Sequence, residues 1–181
     1  MKRTVLTITS LALMVFGAQA QLFSTAVGSL GFFSKTPVEN IEAQSSQTLS
    51  VLNAKTRELA FSVGNRSFKF HNKLMEEHFN EKYIESEKYP QSTFKGKINE
   101  DIDLSKDGEY KVTVTGKLNV HGVERERTIP GAITVKDGSI TLTSAFKVRV
   151  EDHKIEIPKL VVSNIAEEIE VKVDAKLMPR K

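Results

Sequence analysis

The side chains best suited to chemistry in this sequence are four histidines and the acidic residues beside them. His71 and His78 lie seven positions apart, which places them on one face of a helix, with Glu76 and Glu77 between them. Imidazole and carboxylate groups bind zinc, but zinc sites usually show closer ligand spacing or a third strong ligand. We therefore expect no metal at this position.

The other two histidines have no nucleophile motif near them. His121 precedes Gly122 at a strand end, and His153 follows Asp152 in a predicted turn. The sequence has no Gly-x-Ser-x-Gly elbow, and the absence of cysteine excludes thiol nucleophiles and disulfides. Acid–base catalysis needs two groups that converge in a pocket, whereas the carboxylates here fall at outward strand positions or on a helix surface. We predict no catalytic residues.

The N-terminus has the three parts of a secretory signal peptide. Lys2 and Arg3 form a basic region, Val5–Phe16 is an apolar or weakly polar run, and Ala18-Gln19-Ala20 is a small-x-small cleavage site. The apolar run is shorter than the ~20 residues of a membrane-spanning helix. These features predict a signal peptide over residues 1–20 and one mature domain over residues 21–181.

Charge and composition limit the partners of the mature domain. The formal net charge of the chain is +3, and the loss of Lys2 and Arg3 lowers it by two to +1. Basic residues alternate with acidic ones and do not cluster with aromatic ones, so we expect no nucleic-acid binding. No later segment is long and apolar enough to span a bilayer, and no cysteine is present for lipid attachment. The mature protein is expected to be periplasmic or secreted, and its oligomeric state is left open.

One stretch, Leu74–Pro90, has helical spacing in a chain that otherwise alternates. Leu74, Met75 and Phe79 recur between glutamates, and Pro90 ends the segment because the residue before a proline disfavours helical angles. We predict that this helix covers one end of the remaining fold, with Leu74, Met75 and Phe79 pointing inward.

Elsewhere the alternation of apolar and polar residues predicts strands. The longest run, Tyr110–Val120, is about twice the usual strand length of ~5–6 residues. Leu49 and Val51 begin another strand, and Asp137-Gly138 marks a tight hairpin. About eight strands joined by short turns predict an all-β fold, an antiparallel up-and-down β-barrel with one short helical segment. A β-sandwich is the alternative.

The inside of such a barrel either packs solid or holds one small ligand. The inward positions carry almost no hydrogen-bonding groups, and small residues such as Gly116 and Ala175 lie among them. These small residues fit a packed core with bent strands, and they also fit a tunnel for an apolar chain. The predicted tunnel wall comprises Phe32, Phe61, Val63, Phe68, Phe70, Leu74, Phe79, Phe94, Tyr110, Val112, Val114, Leu118, Leu142, Phe146, Val148 and Val171.

Two polar residues are candidates for contact with a ligand head group at the barrel mouth. Arg127 shares strand parity with the apolar Ile129, and Asn164 interrupts the strands before the last one. The simpler interpretations are a solvated strand face for Arg127 and an ordinary loop for Asn164.

Several stretches, taken together, resemble the YceI-like family of exported lipid-binding barrels. In order they are Phe32-Phe33-Ser34-Lys35-Thr36-Pro37, Leu74-Met75-Glu76-Glu77-His78-Phe79-Asn80, Glu85-Ser86-Glu87-Lys88-Tyr89-Pro90, Val114-Thr115-Gly116-Lys117-Leu118 with His121-Gly122-Val123, and Asn164-Ile165-Ala166. The resemblance covers about Phe32–Leu177. It implies a lipocalin-like, elongated barrel that holds a polyisoprenoid chain, with the helical segment at one end of the tunnel. It implies no metal and no established reaction, and we expect no cofactor. Arg127 departs from the apolar residue expected there.

Three functional hypotheses follow. The preferred one is an exported protein that encloses a long apolar lipid, of the isoprenoid class, for carriage or sequestration. The alternative is a structural or interaction barrel with a solid core and no ligand. An enzyme that acts on a lipid head group through His78 or His121 is the least supported.

Overall fold

The strands predicted from alternation form one continuous sheet. The computed structural model describes residues 22–180, apart from the side chains of residues 26 and 27, so the predicted signal peptide lies outside the described residues. The strands are β1 (Leu22–Lys35), β2 (Asn40–Asn53), β3 (Glu58–Gly64), β4 (Lys69–Phe70), β5 (Gln91–Ile98), β6 (Gly108–Val120), β7 (Val123–Lys136), β8 (Ser139–Arg149) and β9 (Glu168–Pro179), and the helix α1 is Lys73–His78.

Eight of these strands close into an antiparallel barrel. The order around the wall is β1, β2, β3, β5, β6, β7, β8 and β9, and β9 pairs with β1 to close the ring. The two-residue β4 pairs with β2 at residues that lie beyond the part of β2 paired with β3. The prediction of an eight-stranded up-and-down barrel is therefore confirmed, and the sandwich alternative is wrong. Because the barrel is closed, each of its eight strands pairs with a neighbour on either side.

Two tight turns connect β6, β7 and β8. His121 and Gly122 join β6 to β7 with φ angles of +52° and +71°, and Asp137 and Gly138 join β7 to β8 with +50° and +71°. Two consecutive positive φ angles are the geometry of a type I′ hairpin, whose twist matches that of the strands. The His121–Gly122 turn and α1 lie at the same end of the barrel, which is its upper end. The opposite end is the lower end.

The lower end of the barrel is packed solid. Leu52, Ile98, Ile133, Ile140 and Leu177 are each at most 1% exposed and come from five different strands. Burial of each such side chain contributes about 1.5–3 kcal/mol to folding. The lower half is thus a conventional apolar core that holds the eight strands in register.

Strand β2 departs from the apolar-inward pattern. Thr48 and Ser50 are almost completely buried, whereas Leu49 between them is 52% exposed. Ladder irregularities between β1 and β2 on either side of Gly28 accompany this arrangement. A Cβ on Gly28 would lie 3.2 Å from the Cβ atoms of Thr48 and Ala175, so the three strands approach closely and leave room only for small inward side chains.

The helical segment is shorter than predicted. Asn72 begins α1 by accepting a hydrogen bond from the Leu74 N–H at 2.8 Å, as an N-cap residue does. A π-helical turn, Phe79–Tyr83, follows α1, and helical structure ends before Glu85, which has a φ of +45°. The chain leaves the helix at this left-handed residue, so Pro90 is not the residue that stops it.

Candidate functional site

The upper half of the barrel encloses a cavity of about 370 Å³. This volume lies in the range of ~300–1,000 Å³ that is usual for small-molecule sites. Its wall is formed by inward side chains of the strands and is covered by residues of the helical segment. Of the predicted wall residues, those that line it are Phe32, Phe61, Val63, Phe68, Phe70, Phe79, Phe94, Val112, Val114, Leu118, Leu142, Phe146, Val148 and Val171. Their contact with a ligand remains a prediction.

Four phenylalanines form a cluster on one side of the cavity. The ring of Phe32 on β1 lies 5.2 Å from Phe68, 5.7 Å from Phe70 and 5.3 Å from Phe79. Phe79 also lies 5.7 Å from Phe68 and 5.2 Å from Phe70. Tilted and edge-on pairs at these distances add about 0.5–1.5 kcal/mol each beyond burial. Phe79 therefore fixes the helical segment over the cavity, as predicted for this residue.

The structure corrects the predicted orientation of Leu74. Its side chain is 55% exposed and does not line the cavity. The inward row of the segment consists of Met75, Phe79 and Tyr83, which follow one another at four-residue spacing. Leu74 precedes this row by one position and is therefore rotated by about 100° away from it.

Tyr110 also lies away from the cavity. It sits near the start of β6 at the lower end, where its hydroxyl donates to the backbone oxygen of Lys106 at 3.1 Å and approaches that of Asp103 at 3.3 Å. Its ring packs against the lower core. The Tyr110 side chain lies on the inward face of β6, as the alternation predicts, but the cavity does not extend as far as this end of the strand.

The two head-group candidates have different positions. Asn164 lines the cavity, and its Nδ2 donates to the Glu39 carboxylate at 3.0 Å. Arg127 does not line the cavity, and its guanidinium donates instead to the backbone oxygen of Lys147 on β8 at 2.8 Å. Asn164 therefore keeps its predicted place at the upper rim, whereas Arg127 is part of the barrel wall.

The hydrogen bond from Arg127 spans a gap in the backbone ladder between β7 and β8. This gap is called the β7–β8 seam. The backbone ladder between these strands runs from the Lys136–Ser139 pair only as far as the Ala132–Thr143 pair. Beyond it lies Pro130, which has no N–H to donate. Above this point the strands are joined by side chains: Ser144 Oγ donates to the Pro130 oxygen at 2.6 Å, and Arg127 donates as described above. Pro130 and Ser144 also line the cavity, so the cavity reaches the wall at this seam.

Sequence reasoning missed several residues of the cavity wall. These come from the β1–β2 turn, the end of the helical segment and the long β8–β9 connection, and they are Glu39, Tyr83, Ile84, Ile155, Val161 and Ile165. The four-residue spacing of Val161 and Ile165 was a signal, but it stands in a segment without strand or helix periodicity. Burial raises the pKa of the Tyr83 hydroxyl, which keeps this wall residue neutral.

Of the small residues at inward positions, Gly131 and Ser144 line the cavity, whereas Gly96, Gly116 and Ala175 have a structural role. Gly96 and Gly116 face each other on β5 and β6. A Cβ on Gly116 would collide with the Lys95 oxygen and the Gly96 Cα. Ala175 is buried in the lower core. None of these three residues lines the cavity, so they permit close strand approach and do not widen a tunnel.

Two of the four histidines, His121 and His153, form a buried polar cluster outside the cavity. His121 Nε2 lies 2.6 Å from a Glu85 carboxylate oxygen, and His121 Nδ1 lies 3.1 Å from the His153 backbone oxygen. His153 Nδ1 in turn lies 3.0 Å from the Val123 oxygen, and burial lowers the pKa of the His153 imidazole. These contacts attach Glu85, after the helical segment, to the β6–β7 turn. The cluster therefore joins the end of the helical segment to the β6–β7 turn of the barrel.

The described part of the chain holds neither a cluster of metal ligands nor a membrane-spanning helix. Within residues 22–180, no group of three or more His, Cys, Asp or Glu side chains is placed to hold a metal ion. His71 is exposed and His78 faces the cavity, so the two do not form a common site. No helix in this part of the chain has the length and apolar character needed to cross a membrane.

The barrel and its cavity can now be compared with known proteins. The sequence matches the model of the YceI-like domain over residues 13–177. The chain belongs to the YceI-like family. A search of curated proteins finds no match.

Solved structures share the YceI-like barrel at low sequence identity. A polyisoprenoid-binding domain from Saccharophagus degradans, implicated in plant cell wall breakdown, is 13% identical with a TM-score of 0.75, over 89% of this chain and 99% of that one. BcnA of Burkholderia cenocepacia is 17% identical with a TM-score of 0.69, over 83% and 95%. The YceI protein of Campylobacter jejuni is 18% identical with a TM-score of 0.58 and full coverage of both chains. These likenesses establish the fold.

Proposed function

We propose that this protein is an exported binding protein that encloses a long apolar lipid chain, of the isoprenoid class, in the upper half of its barrel. The observation that carries the proposal is the apolar cavity of about 370 Å³ under the helical segment. A smaller engineered cavity of ~150 Å³ lined by similar side chains binds benzene. Export rests on the signal-peptide pattern at residues 1–20.

The chemistry of the wall favours a hydrocarbon ligand. Phenylalanine, valine, leucine and isoleucine dominate it, and burial of each methylene contributes about 0.8 kcal/mol. A five-carbon isoprene unit therefore contributes about 4 kcal/mol, and several units together offset the ~4–15 kcal/mol that association costs. The polar groups at the upper rim, Asn164 and Glu39, already bond to each other. Affinity on this proposal comes from the chain and only secondarily from its head group.

The family assignment and one structural neighbour support the isoprenoid class. The Saccharophagus degradans domain is described as binding polyisoprenoid, and it shares the barrel fold with this chain. At 13% identity the likeness supports the choice of ligand class to be tested first. The solid-core alternative predicts no internal space, so the cavity argues against it.

The geometry gives little support to a catalytic role. His78, Glu39 and Tyr83 are titratable residues that line the cavity, whereas the His121–Glu85 pair does not line it. Glu39 is bonded to Asn164, and no described hydrogen bond joins it to His78. An acid–base reaction needs groups that converge on the same ligand atom. Most side chains that line the cavity are hydrocarbon. A binding function is thus the one that the wall residues support.

The proposal is tested by native mass spectrometry of protein purified gently from its host, followed by lipid identification. We expect a bound lipid with an isoprenoid chain, and uptake of isoprenoid quinones or alcohols by delipidated protein. Protein without added mass that also takes up no such lipid contradicts the proposal.

A matched pair of variants on β9 locates the ligand. Val171 lines the cavity and Lys172 beside it is exposed on the outer face. Val171→Trp should reduce the bound lipid strongly, while Lys172→Trp should retain it. Overpacking costs about 1–3 kcal/mol, so the fold of Val171→Trp is checked by circular dichroism. Equal lipid content in the two folded variants would place the ligand elsewhere.

A further inference from the structure

The upper rim of the barrel carries an unusual concentration of exposed apolar side chains. Within residues 22–180, seven large apolar residues are strongly exposed, and four of them lie at this end. Leu160 is 95% exposed, Val38 63%, Val162 57% and Leu74 55%. They stand on three separate segments: the β1–β2 turn, the start of α1 and the β8–β9 connection. Exposed apolar side chains gathered at one end of a molecule are candidates for protein or membrane contact.

Each exposed residue is a direct neighbour of a residue that lines the cavity. Val38 precedes Glu39, Leu74 precedes Met75, and Leu160 and Val162 flank Val161. Glu39, Met75 and Val161 all belong to the cavity wall. The exposed apolar residues therefore lie on the segments that also line the upper part of the cavity.

The segments that carry these residues are tied to one another. The Asn164 side chain in the β8–β9 connection donates to Glu39 in the β1–β2 turn at 3.0 Å. The backbone N–H of Ala166 donates to Ser34 Oγ at the end of β1 at 2.8 Å. The rim is thus held in place by polar bonds between its segments, while its apolar side chains remain uncovered.

Exposed lysines accompany the apolar residues. Lys35, Lys73 and Lys159 each lie within three positions of Val38, Leu74 or Leu160. All three are exposed, and none of them takes part in an ion pair in the described part of the chain. The carboxylates nearest to the apolar positions already have partners: Glu39, next to Val38, accepts from Asn164, and Glu76, two positions from Leu74, pairs with Lys69.

We propose that the upper rim, formed by Val38, Leu74, Leu160 and Val162 with Lys35, Lys73 and Lys159, docks on an anionic lipid bilayer. Apolar side chains inserted at the headgroup boundary, with lysines among the anionic headgroups, are the usual means of interfacial binding. Apolar points spread over three segments of one end of the barrel fit a fluid, planar surface. Docking in this orientation places the segments that line the upper part of the cavity against the membrane. The reason for docking rests on the proposed function, because a lipid ligand then enters the cavity without crossing water.

The test is flotation of full-length mature protein with vesicles of phosphatidylcholine, with and without phosphatidylglycerol. Wild-type protein should float with the anionic vesicles and be released at high salt, because screening weakens the lysine contribution. The double variant Leu160→Asp/Val162→Asp should bind about tenfold more weakly or worse. Leu49→Asp and Met178→Asp are matched controls, since both residues are 52% exposed and lie away from the rim. The controls should remain within about twofold of wild type.

The outcomes separate docking from ligand binding. Wild-type protein that does not float, or controls that lose binding as much as the rim variant, overturn the docking proposal even if purified protein contains lipid. Flotation that depends on the rim supports docking even if native mass spectrometry finds no bound lipid, in which case the carrier function fails alone. If wild-type protein stays off the vesicles and instead dimerises through the rim, a second copy is the partner and the bilayer is not.

Discussion

At the scale of single residues, buried polar atoms without partners lower the stability of the protein. Within residues 22–180 these atoms are Thr48 Oγ1, Ser50 Oγ and His153 Nε2. A buried polar group without a partner costs about 1–3 kcal/mol of stability. The hydroxyls on β2 lie where three strands approach closely, and His153 lies under the β6–β7 turn.

Replacement of Thr48 by valine should stabilise the protein. The two side chains have nearly the same shape, and valine removes the unpaired hydroxyl, so the free energy of unfolding should rise by about 1 kcal/mol. Urea denaturation measures the change. Thr141→Val on β8 is the control, because Thr141 is only half-buried, and it should change stability by less than about 0.5 kcal/mol. A loss of stability in Thr48→Val would show that the hydroxyl has a partner after all.

His153 should make the protein sensitive to mild acid. Burial lowers the pKa of its imidazole from the ordinary value of 6.5. As pH falls through about 6.5, the unfolded chain binds a proton before the folded chain does, so stability decreases on the acid side. The charge of Asp152 raises the pKa of the same ring, and the charge of Arg125 lowers it. Melting temperatures between pH 8 and pH 5 should fall more steeply for wild type than for His153→Leu, and parallel curves would contradict this.

At the scale of elements, the β7–β8 seam is the weakest part of the barrel wall. Above Pro130 the two strands are joined by side-chain bonds from Ser144 and Arg127 and not by a ladder. Amides next to such a gap open more readily than amides inside a continuous ladder.

Removal of the Arg127 bond should loosen this seam selectively. In Arg127→Ala, we expect faster hydrogen exchange in the upper halves of β7 and β8, with little change in β5 and β6. Arg149→Ala is the control, because Arg149 makes only exposed ion pairs, with Glu151 and Glu168, and such pairs contribute little. Uniform faster exchange over the whole barrel in Arg127→Ala would indicate global destabilisation instead.

Elements with regular alternation could be predicted from the sequence, and those with local exceptions could not. Strands β6 to β9 and the Asp137-Gly138 turn follow directly from two-residue periodicity and turn chemistry. The inward face of β2 was not predictable in this way, because small polar residues are selected there by close strand approach. The helix was predicted too long, since a left-handed Glu85 ends it and no local rule marks a glutamate for that conformation.

The residues of the candidate site fall into the same two groups. Those on regular strands could be predicted from the sequence, and those outside regular strands could not. Most strand residues of the cavity wall could be named from parity alone, because parity fixes the face on which a side chain lies. Parity does not show how far the cavity extends along a strand, which is why Tyr110 was included. Wall residues from the β8–β9 connection, such as Val161 and Ile165, depend on tertiary contacts that have no periodic signal.

At the scale of the whole molecule, a ligand in the cavity should stabilise the fold. Binding to the folded state alone adds about 2.7 kcal/mol at a ligand concentration of 100 times Kd. For a protein of this size, this raises Tm by about 5–10 °C. Differential scanning calorimetry of delipidated protein with and without its lipid measures the shift. Val171→Trp should show no such shift, and an equal shift in that variant would mean that the lipid binds outside the cavity.

The contrast between a solid lower end and a hollow upper end has a consequence for how this family can change. Side chains around the cavity border internal space on one side, so a change in their size can be taken up there. The side chains that keep the eight strands in register lie in the other half, as Leu52, Ile140 and Leu177 show. Sequence drift in the upper half can therefore alter what fits inside without threatening the ability to fold. A barrel built in this way can acquire new cargo while its architecture stays constant, even among relatives that are less than 20% identical.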